Sequence, residues 1–317
     1  MKKLLKGMTR REALKAGAVM GTVAGAGLAL GYIPAFASTP DLISKPIPSS
    51  GELIPVVGIG TARYFDAQVT DEEMIVRREV IEQLPKLGGM LIDTAASYGR
   101  GVAESLIGDL VADVGNRDQL FLATKVAKSS VEEGILEMET SFRKLKTDVI
   151  DLMQVHNLVG TTVMLPIMRE WKAEGRFRYI GATTSRDRQY TDFVAMMEAE
   201  DLDFIQVDYS LANRTAAERI LPLAADRGMA VLINLPYGRG RLFRAVSDRP
   251  LPEWASQFGA KTWGQFFLKY IVSHPAVTCA IPGTYKMAYL EDNLGAATGE
   301  LPAASLRKRM EEYYDAL

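Results

Sequence analysis

Short apolar runs recur along the chain, and most are followed by a stretch in which apolar residues return every three or four positions. The runs are IPVVGIG (54–60), GMLIDT (89–94), LFLATKV (120–126), VIDLMQVH (149–156), RYIGATT (178–184), DFIQVDY (203–209), AVLINLP (230–236) and VTCAIPG (277–283). The stretches between them, such as DEEMIVRREVIEQLPKLG (71–88) and EEGILEMETSFRKLKT (132–147), have helical periodicity. Alternation of this kind predicts repeated βαβ units and a parallel sheet. Eight units over about 250 residues suit a closed (β/α)8 TIM barrel better than an open sheet. No run is followed by a G-x-G-x-x-G helix opening, which argues against a Rossmann-type fold. The segment KPIPSSGEL (45–53) is expected to form an N-terminal β-hairpin that plugs the barrel floor.

The first 37 residues break this rhythm. Lys2, Lys3, Lys6, Arg10, Arg11 and Lys15 face only Glu12, an apolar run extends to Leu30, and AFA (35–37) fits a small-residue cleavage pattern. Adjacent arginines in TRREALK (9–15) resemble the address of the twin-arginine route, which exports folded proteins. Residues 1–37 are therefore read as a signal peptide and 38–317 as the barrel, with the periplasm as destination and the twin-arginine machinery as partner. Glycines at 17, 21, 25, 27 and 31 dilute the apolar run, so lasting membrane association is not expected; a retained anchor is the alternative.

Composition changes the picture little. A net charge of -2, with no basic patch interleaved with aromatics, argues against a nucleic-acid partner. Cys279, the only cysteine, lies within an apolar run with no cation beside it and reads as a buried structural thiol.

In a barrel of this type chemistry collects at the C-terminal ends of the strands. Successive runs deliver Asp93, Lys125 and His156 there, with Tyr98 in the loop after Asp93. Lys125 and Asp93 can pair, since an unpaired charge in a barrel mouth is costly. A free phenol has a pKa of about 10, and a neighbouring ammonium favours its ionised form, which suits Tyr98 to proton donation. His156 could then orient a carbonyl oxygen. A single histidine without further ligands at metal spacing is too little for a metal site. Absence of G-x-S-x-G counts against a Ser-His-Asp hydrolase. The loops after the last two strands, where barrels often bind phosphate, read LPYGRGRLF and IPGTYKMAYLEDN. Gly238 and Gly240 permit close approach there, and Arg239, Arg241 and Lys286 supply charge.

GMLIDTAASYG, ATK and QVHN resemble the aldo-keto reductase family at its four catalytic positions, and the likeness runs from about Ile54 to Asn293. The resemblance implies Tyr98 as general acid, Lys125 and Asp93 as its tuning pair, and His156 as the orienting group. It implies hydride exchange between a nicotinamide and a small carbonyl substrate, the cofactor carrying that chemistry. On the same match Thr183, Thr184 and Gln206 hold the nicotinamide amide. Pyrophosphate lies against Gly238–Arg241, and Gly283, Thr284, Lys286 and Asn293 approach the adenosine end. Asn234 stands where many relatives stack an aromatic ring on the nicotinamide, and Tyr289 where a cation often meets the 2′-phosphate. NADP(H) is favoured and NAD(H) possible. A cofactor-bound sensor or regulatory subunit is the alternative function. The segment 244–265 is expected to border the pocket, with Trp254 and Trp263 as walls or as core. A short helical tail (305–317) leads to the expectation of a broad, uncovered site.

Overall fold

The computed structural model describes residues 41–62, 65 and 69–317, so the expected signal segment lies outside the described residues. An antiparallel hairpin comes first, β1 (Ser44–Pro46) against β2 (Leu53–Pro55), with Lys45 opposite Ile54. The barrel strands are β3 (Ile59–Gly60), β4 (Leu91–Asp93), β5 (Phe121–Val126), β6 (Ile150–His156), β7 (Phe177–Thr183), β8 (Phe204–Asp208), β9 (Ala230–Asn234) and β10 (Cys279–Ala280). All neighbours pair in parallel, in the order of the sequence. Parallel bridges from Val57 to Ala280 and from Gly60 to Gly283 close the ring between its first and last strands.

Helices return the chain after each strand, beginning with α1 (Asp71–Lys86), α2 (Ala103–Val114), α3 (Val131–Leu145) and α4 (Thr161–Ala173). After these come α5 (Tyr190–Ala199), α6 (Ile220–Asp226), the short α7 (Arg241–Ala245), α8 (Trp263–Val272), α9 (Met287–Gly295) and a terminal α10 (Ala304–Asp315). Their starts are written locally. Thr70 and Glu73 form a reciprocal capping box at α1, and Ser130 and Thr262 cap α3 and α8. The buried face of α1 carries Arg77, Val80, Ile81 and Leu84, the three- and four-residue spacing of one helical stripe.

The first apolar run behaves differently from its expectation as one strand. Its N-terminal part joins the hairpin, Val57 bridges in parallel to Ala280, and Ile59–Gly60 pairs with β4. The Val56 N–H still donates to the Ile43 carbonyl at 2.9 Å, so the run passes from hairpin to barrel within two residues. Gly58 and Gly60 sit where a Cβ would come within 2.8 Å of the carbonyl oxygens of Leu91 and Ile281. The flanking strands can approach the first barrel strand this closely only because these positions lack side chains.

Inside the ring, Leu91, Phe121, Leu152, Tyr179, Phe204, Leu232 and Cys279 pack into one apolar cluster with Ile47 and Ile54 of the hairpin region. The hairpin therefore forms the floor, as its position before the first strand led one to expect. Polar groups fix it there. Lys45 Nζ donates to the carbonyls of Val272, His274 and Val277 at 2.8, 2.9 and 2.7 Å. Tyr179 Oη donates to Glu52 at 2.6 Å, and Arg178 bridges Glu52 and Asp151. Cys279 is fully buried, and burial pushes its thiol up, consistent with a structural thiol. Trp254 and Trp263 are not pocket walls: they pack on Phe266 and Tyr313, tying α10 to α8. Among the described residues no helix is long and apolar enough to cross a membrane.

Burial and Arg307 push the Lys45 ammonium down to about 8, so it remains mostly charged at neutrality. Lys45→Met would remove one donor from three carbonyls, of which that of His274 keeps the Val277 N–H at 3.0 Å. Such a change is expected to destabilise the fold by about 3 kcal/mol. Equilibrium urea unfolding checks this; a midpoint equal to that of the wild type would show that the hairpin is held by apolar packing alone.

Candidate active site

The strand register assembles the site. Asp93 ends β4 beside Ala123 of β5, Lys125 lies level with Gln154 of β6, and His156 is level with Thr183 of β7. Consecutive strand ends thus present a carboxylate, an ammonium and an imidazole to one rim. Lys125 and Asp93 are both almost completely buried. The ammonium donates to Asp93 Oδ1 and Oδ2 at 2.7 and 2.8 Å and to the Thr94 carbonyl at 2.6 Å. Tyr98 is brought over this pair by the left-handed backbone at Gly99, Arg100 and Gly101 (φ 57°, 58° and 93°). Lys144 Nζ holds that turn through the Gly101 carbonyl at 2.5 Å. The Tyr98 ring centroid lies 4.9 Å from Lys125 Nζ and 5.9 Å from the His156 ring, edge-on at 80°.

Electrostatics refine the expected roles. Burial pushes the Asp93 carboxyl up, with Lys125 acting against it. Burial also works against the Lys125 ammonium, but Asp93 and Tyr98 outweigh it and the ammonium is held above its ordinary value. For Tyr98 the proximity expectation meets a larger effect. Burial and Asp93 raise the phenol, and Lys125 offsets only part of the rise, so Tyr98 is protonated above its ordinary value of 10.0. An ammonium already bonded to a carboxylate has less field to spend on a second neighbour. His156 is pushed down to about 3 by burial, then by Lys125 and Arg186. It is a neutral imidazole at physiological pH, with one N–H to donate.

A pocket of about 420 Å³ opens over these groups. Of the residues singled out in the sequence, Asp93, Tyr98, His156, Thr183, Asn234, Arg239, Gly240 and Gly283 line it, and Lys125 lies beneath under Tyr98. Thr184, Gln206, Gly238, Arg241, Thr284, Lys286 and Asn293 do not line it. Thr184 Oγ1 is bonded to Gln189 at 2.7 Å. Thr284 and Asn293 bond each other at 3.0 Å, and Asn293 accepts from Tyr237 Oη at 2.6 Å. These three act as a latch between the last two βα loops. Lys286 is exposed, its ammonium 5.3 Å from the Tyr285 ring and 6.0 Å from that of Tyr289.

Tyr237, Asn157, Ser185 and Leu235 also line the pocket and were not singled out. Tyr237 was legible only as part of a glycine-rich loop, its partner Asn293 being far away in sequence. Left-handed backbone at non-glycine residues could not be read at all. Arg100, Asn157, Leu158, Leu235 and Arg239 have φ between 49° and 60° and all lie in rim loops; Lys146, the other such residue described, ends α3. Backbone strain is thus concentrated around the pocket, where such strain is commonly functional.

Comparison with known proteins agrees with this geometry. Residues 56–312 match the Aldo/keto reductase family. The chain belongs to the aldo-keto reductase family. It is an NAD(P)H-dependent oxidoreductase on a (β/α)8 barrel. The chain is 28% identical to Methylglyoxal reductase YeaE of Escherichia coli, over 83% of this chain and 92% of that one. It is 30% identical to Methylglyoxal reductase DkgB of Yersinia pestis, over 80% and 91%. Aldo-keto reductase YhdN of Bacillus subtilis is 34% identical, over 56% of each chain. Among solved structures, the thermostable aldo-keto reductase Tm1743 superposes with a TM-score of 0.70 at 25% identity, covering 86% of this chain and all of that one. An aldo-keto reductase from Klebsiella pneumoniae in complex with NADPH superposes at 0.69 and 20% identity, covering 86% and 95%.

The residues present fit a nicotinamide. Asn234, which lines the pocket, carries a buried amide oxygen with no hydrogen-bond partner, a costly arrangement that a carboxamide N–H2 would relieve. Asn234 is held for this by its own amide, which donates to the Thr184 carbonyl at 3.2 Å.

His156 has an ordinary value of 6.5 and a folded value of about 3, so the unfolded chain binds its proton first as pH falls. The stability contributed by the neutral imidazole is present above 6.5 and is lost progressively below it. Relative to a His156→Gln variant, the wild type is therefore expected to lose stability between about pH 7 and about pH 4. Denaturant midpoints of both proteins across that range check this. Parallel curves would mean that the imidazole titrates normally.

Proposed function

We propose that this protein is an NADP(H)-preferring reductase of small aldehydes or ketones in which Tyr98 is the general acid. The observation that carries this reading is the buried Lys125–Asp93 pair directly beneath a protonated Tyr98, with neutral His156 across the same pocket. His156 donates its N–H to the substrate carbonyl oxygen and sets its direction. Tyr98 gives its proton to that oxygen as negative charge develops there. Lys125, 4.9 Å from the ring centroid, stabilises the phenolate left behind, and Asp93 keeps the ammonium charged and in place. When bound, the nicotinamide supplies the hydride; Asn234, Gln206 and Thr183 would hold its carboxamide end. Gly238–Arg241 would meet the pyrophosphate, and Gly283 with Lys286 the adenosine phosphate. The name of the NADPH complex among the structural neighbours and the exposed Lys286 support NADP over NAD.

Tyr98→Phe is expected to lower kcat for carbonyl reduction by about 10²–10⁴-fold, the usual worth of general acid catalysis. Titrating NADPH and NADH into both proteins should give nearly unchanged affinities, tighter for NADPH. Wild-type turnover in the variant would remove Tyr98 from the mechanism, and equal affinity for the two nucleotides would remove the NADP preference. A wild type that binds nucleotide without reducing any carbonyl would favour the regulatory-subunit reading.

The same reading includes export in the folded state, because a nucleotide bound in the cytoplasm stabilises the native fold and would be left behind by an unfolded route. Replacing Arg10 and Arg11 with lysine is expected to strand an uncut, cofactor-binding precursor in the cytoplasm. Cell fractionation with an N-terminal mass measurement checks it. Periplasmic delivery of that variant at the wild-type level would exclude the twin-arginine route.

A further inference from the structure

Beside the catalytic pocket lies a second recess of about 730 Å³, built by the loops after β7, β8 and β9. Ser185, Leu235 and Arg239 line both, so the two spaces adjoin. The recess is unusual in its charge. Arg186 and Arg188 enter it from the β7 loop, and Arg239 and Arg241 from the β9 loop. Among the described residues none of the four has an ion-pair or side-chain hydrogen-bond partner, although other arginines of this protein are paired on its surface.

The opposing charges are fewer and already engaged. Among the described residues Asp187 and Asp208 are the carboxylates lining the recess, and Asn213 spans them, donating to Asp187 Oδ1 and Asp208 Oδ2 at 3.0 Å each. Asp208 is mostly buried and keeps a second oxygen, Oδ1, without a partner. Burial pushes its carboxyl up to about 6. Four guanidiniums therefore face at most two carboxylates. Like charges gathered in one concave, partly walled space raise the local concentration of anions, and a guanidinium fork matches carboxylate and phosphate oxygens.

We propose that this recess holds the anionic end of the carbonyl substrate, a carboxylate or phosphate, while the carbonyl lies against Tyr98 and His156. The inference rests on the reductase reading and names the substrate class. Arg186 and Arg188 bind the anion from a loop that carries none of the residues expected to hold the cofactor's phosphates. Arg239 and Arg241, set against the cofactor's pyrophosphate in the reading above, wall the recess on its cofactor side.

The test is an Arg186→Ala/Arg188→Ala double variant of the NADPH-loaded protein, assayed with 4-carboxybenzaldehyde and with its methyl ester. The expected result is a KM for the acid raised at least about 10-fold, in line with losing a charge-assisted hydrogen bond. KM for the ester and the affinity for NADPH should stay within about 2-fold. Equal effects on acid and ester, or no effect on either, would overturn the proposal. A parallel loss of NADPH affinity would assign the arginines to the cofactor's phosphates and overturn it as well. If the wild type reduces neither compound, the reductase reading has failed for this pair, and the recess is read separately by calorimetric titration with terephthalate. Binding to wild type that is lost in the double variant supports an anion site; no binding to either protein overturns it.

Discussion

Burying a lysine and an aspartate at the mouth of an apolar barrel is tolerable only if each is the other's partner, and the whole rim is organised around that requirement. Lys125 and Asp93 come from adjacent strands whose register places them level enough to form two hydrogen bonds, with the Thr94 carbonyl taking the third donor. Removing either side chain would leave an uncompensated charge in low dielectric, the most destabilising form of a broken pair. Lys125 also bears on its neighbours, whose states are set first by burial. It contributes to keeping His156 neutral, and it offers Tyr98 a cation that matters most when the phenol loses its proton. A site can thus combine a firmly protonated resting acid with a stabilised conjugate base.

Beyond the pair, the site depends on loops that hold awkward conformations. Left-handed φ at Asn157, Leu235 and Arg239 sets walls of the pocket. The Tyr237–Asn293–Thr284 chain ties the last two βα loops together. A rigid scaffold with strain confined to its rim is what a positioned reaction requires, since the strand ends fix the polar groups and the loops fix what approaches them.

Much of this was legible in the sequence, for physical reasons. Strand number, the hairpin and the four rim residues follow from periodicity and from where polar residues interrupt apolar runs. Helix limits at Asp71 and Val131 follow from Thr70 and Ser130, whose side chains cap them. What escaped was long-range. The side chains of Thr284 and Asn293, expected near the adenosine end, are bonded to each other. Trp254 and Trp263, which the sequence allowed as walls or as core, are core: both pack on Tyr313 of α10. The raised phenol of Tyr98 depends on how deeply the fold buries it, which no spacing encodes. Arg186 and Arg188 look like ordinary solvated charges until the β7 and β9 loops are seen to share a recess.

The anchoring of the floor has a consequence for how the molecule comes to be. Lys45 reaches carbonyls 227, 229 and 232 residues further along the chain. During synthesis the plug emerges well before the carbonyls it needs, which come only with the segment that leads into the last barrel strand. Until then Ile47 and Ile54 have no completed barrel to fill. Early structure must come instead from neighbouring βα units, whose contacts span short loops, and ring closure is the late, slow event that contacts of such sequence separation impose. A nascent chain with an open first strand and an unseated apolar hairpin is exposed to mispairing throughout that interval.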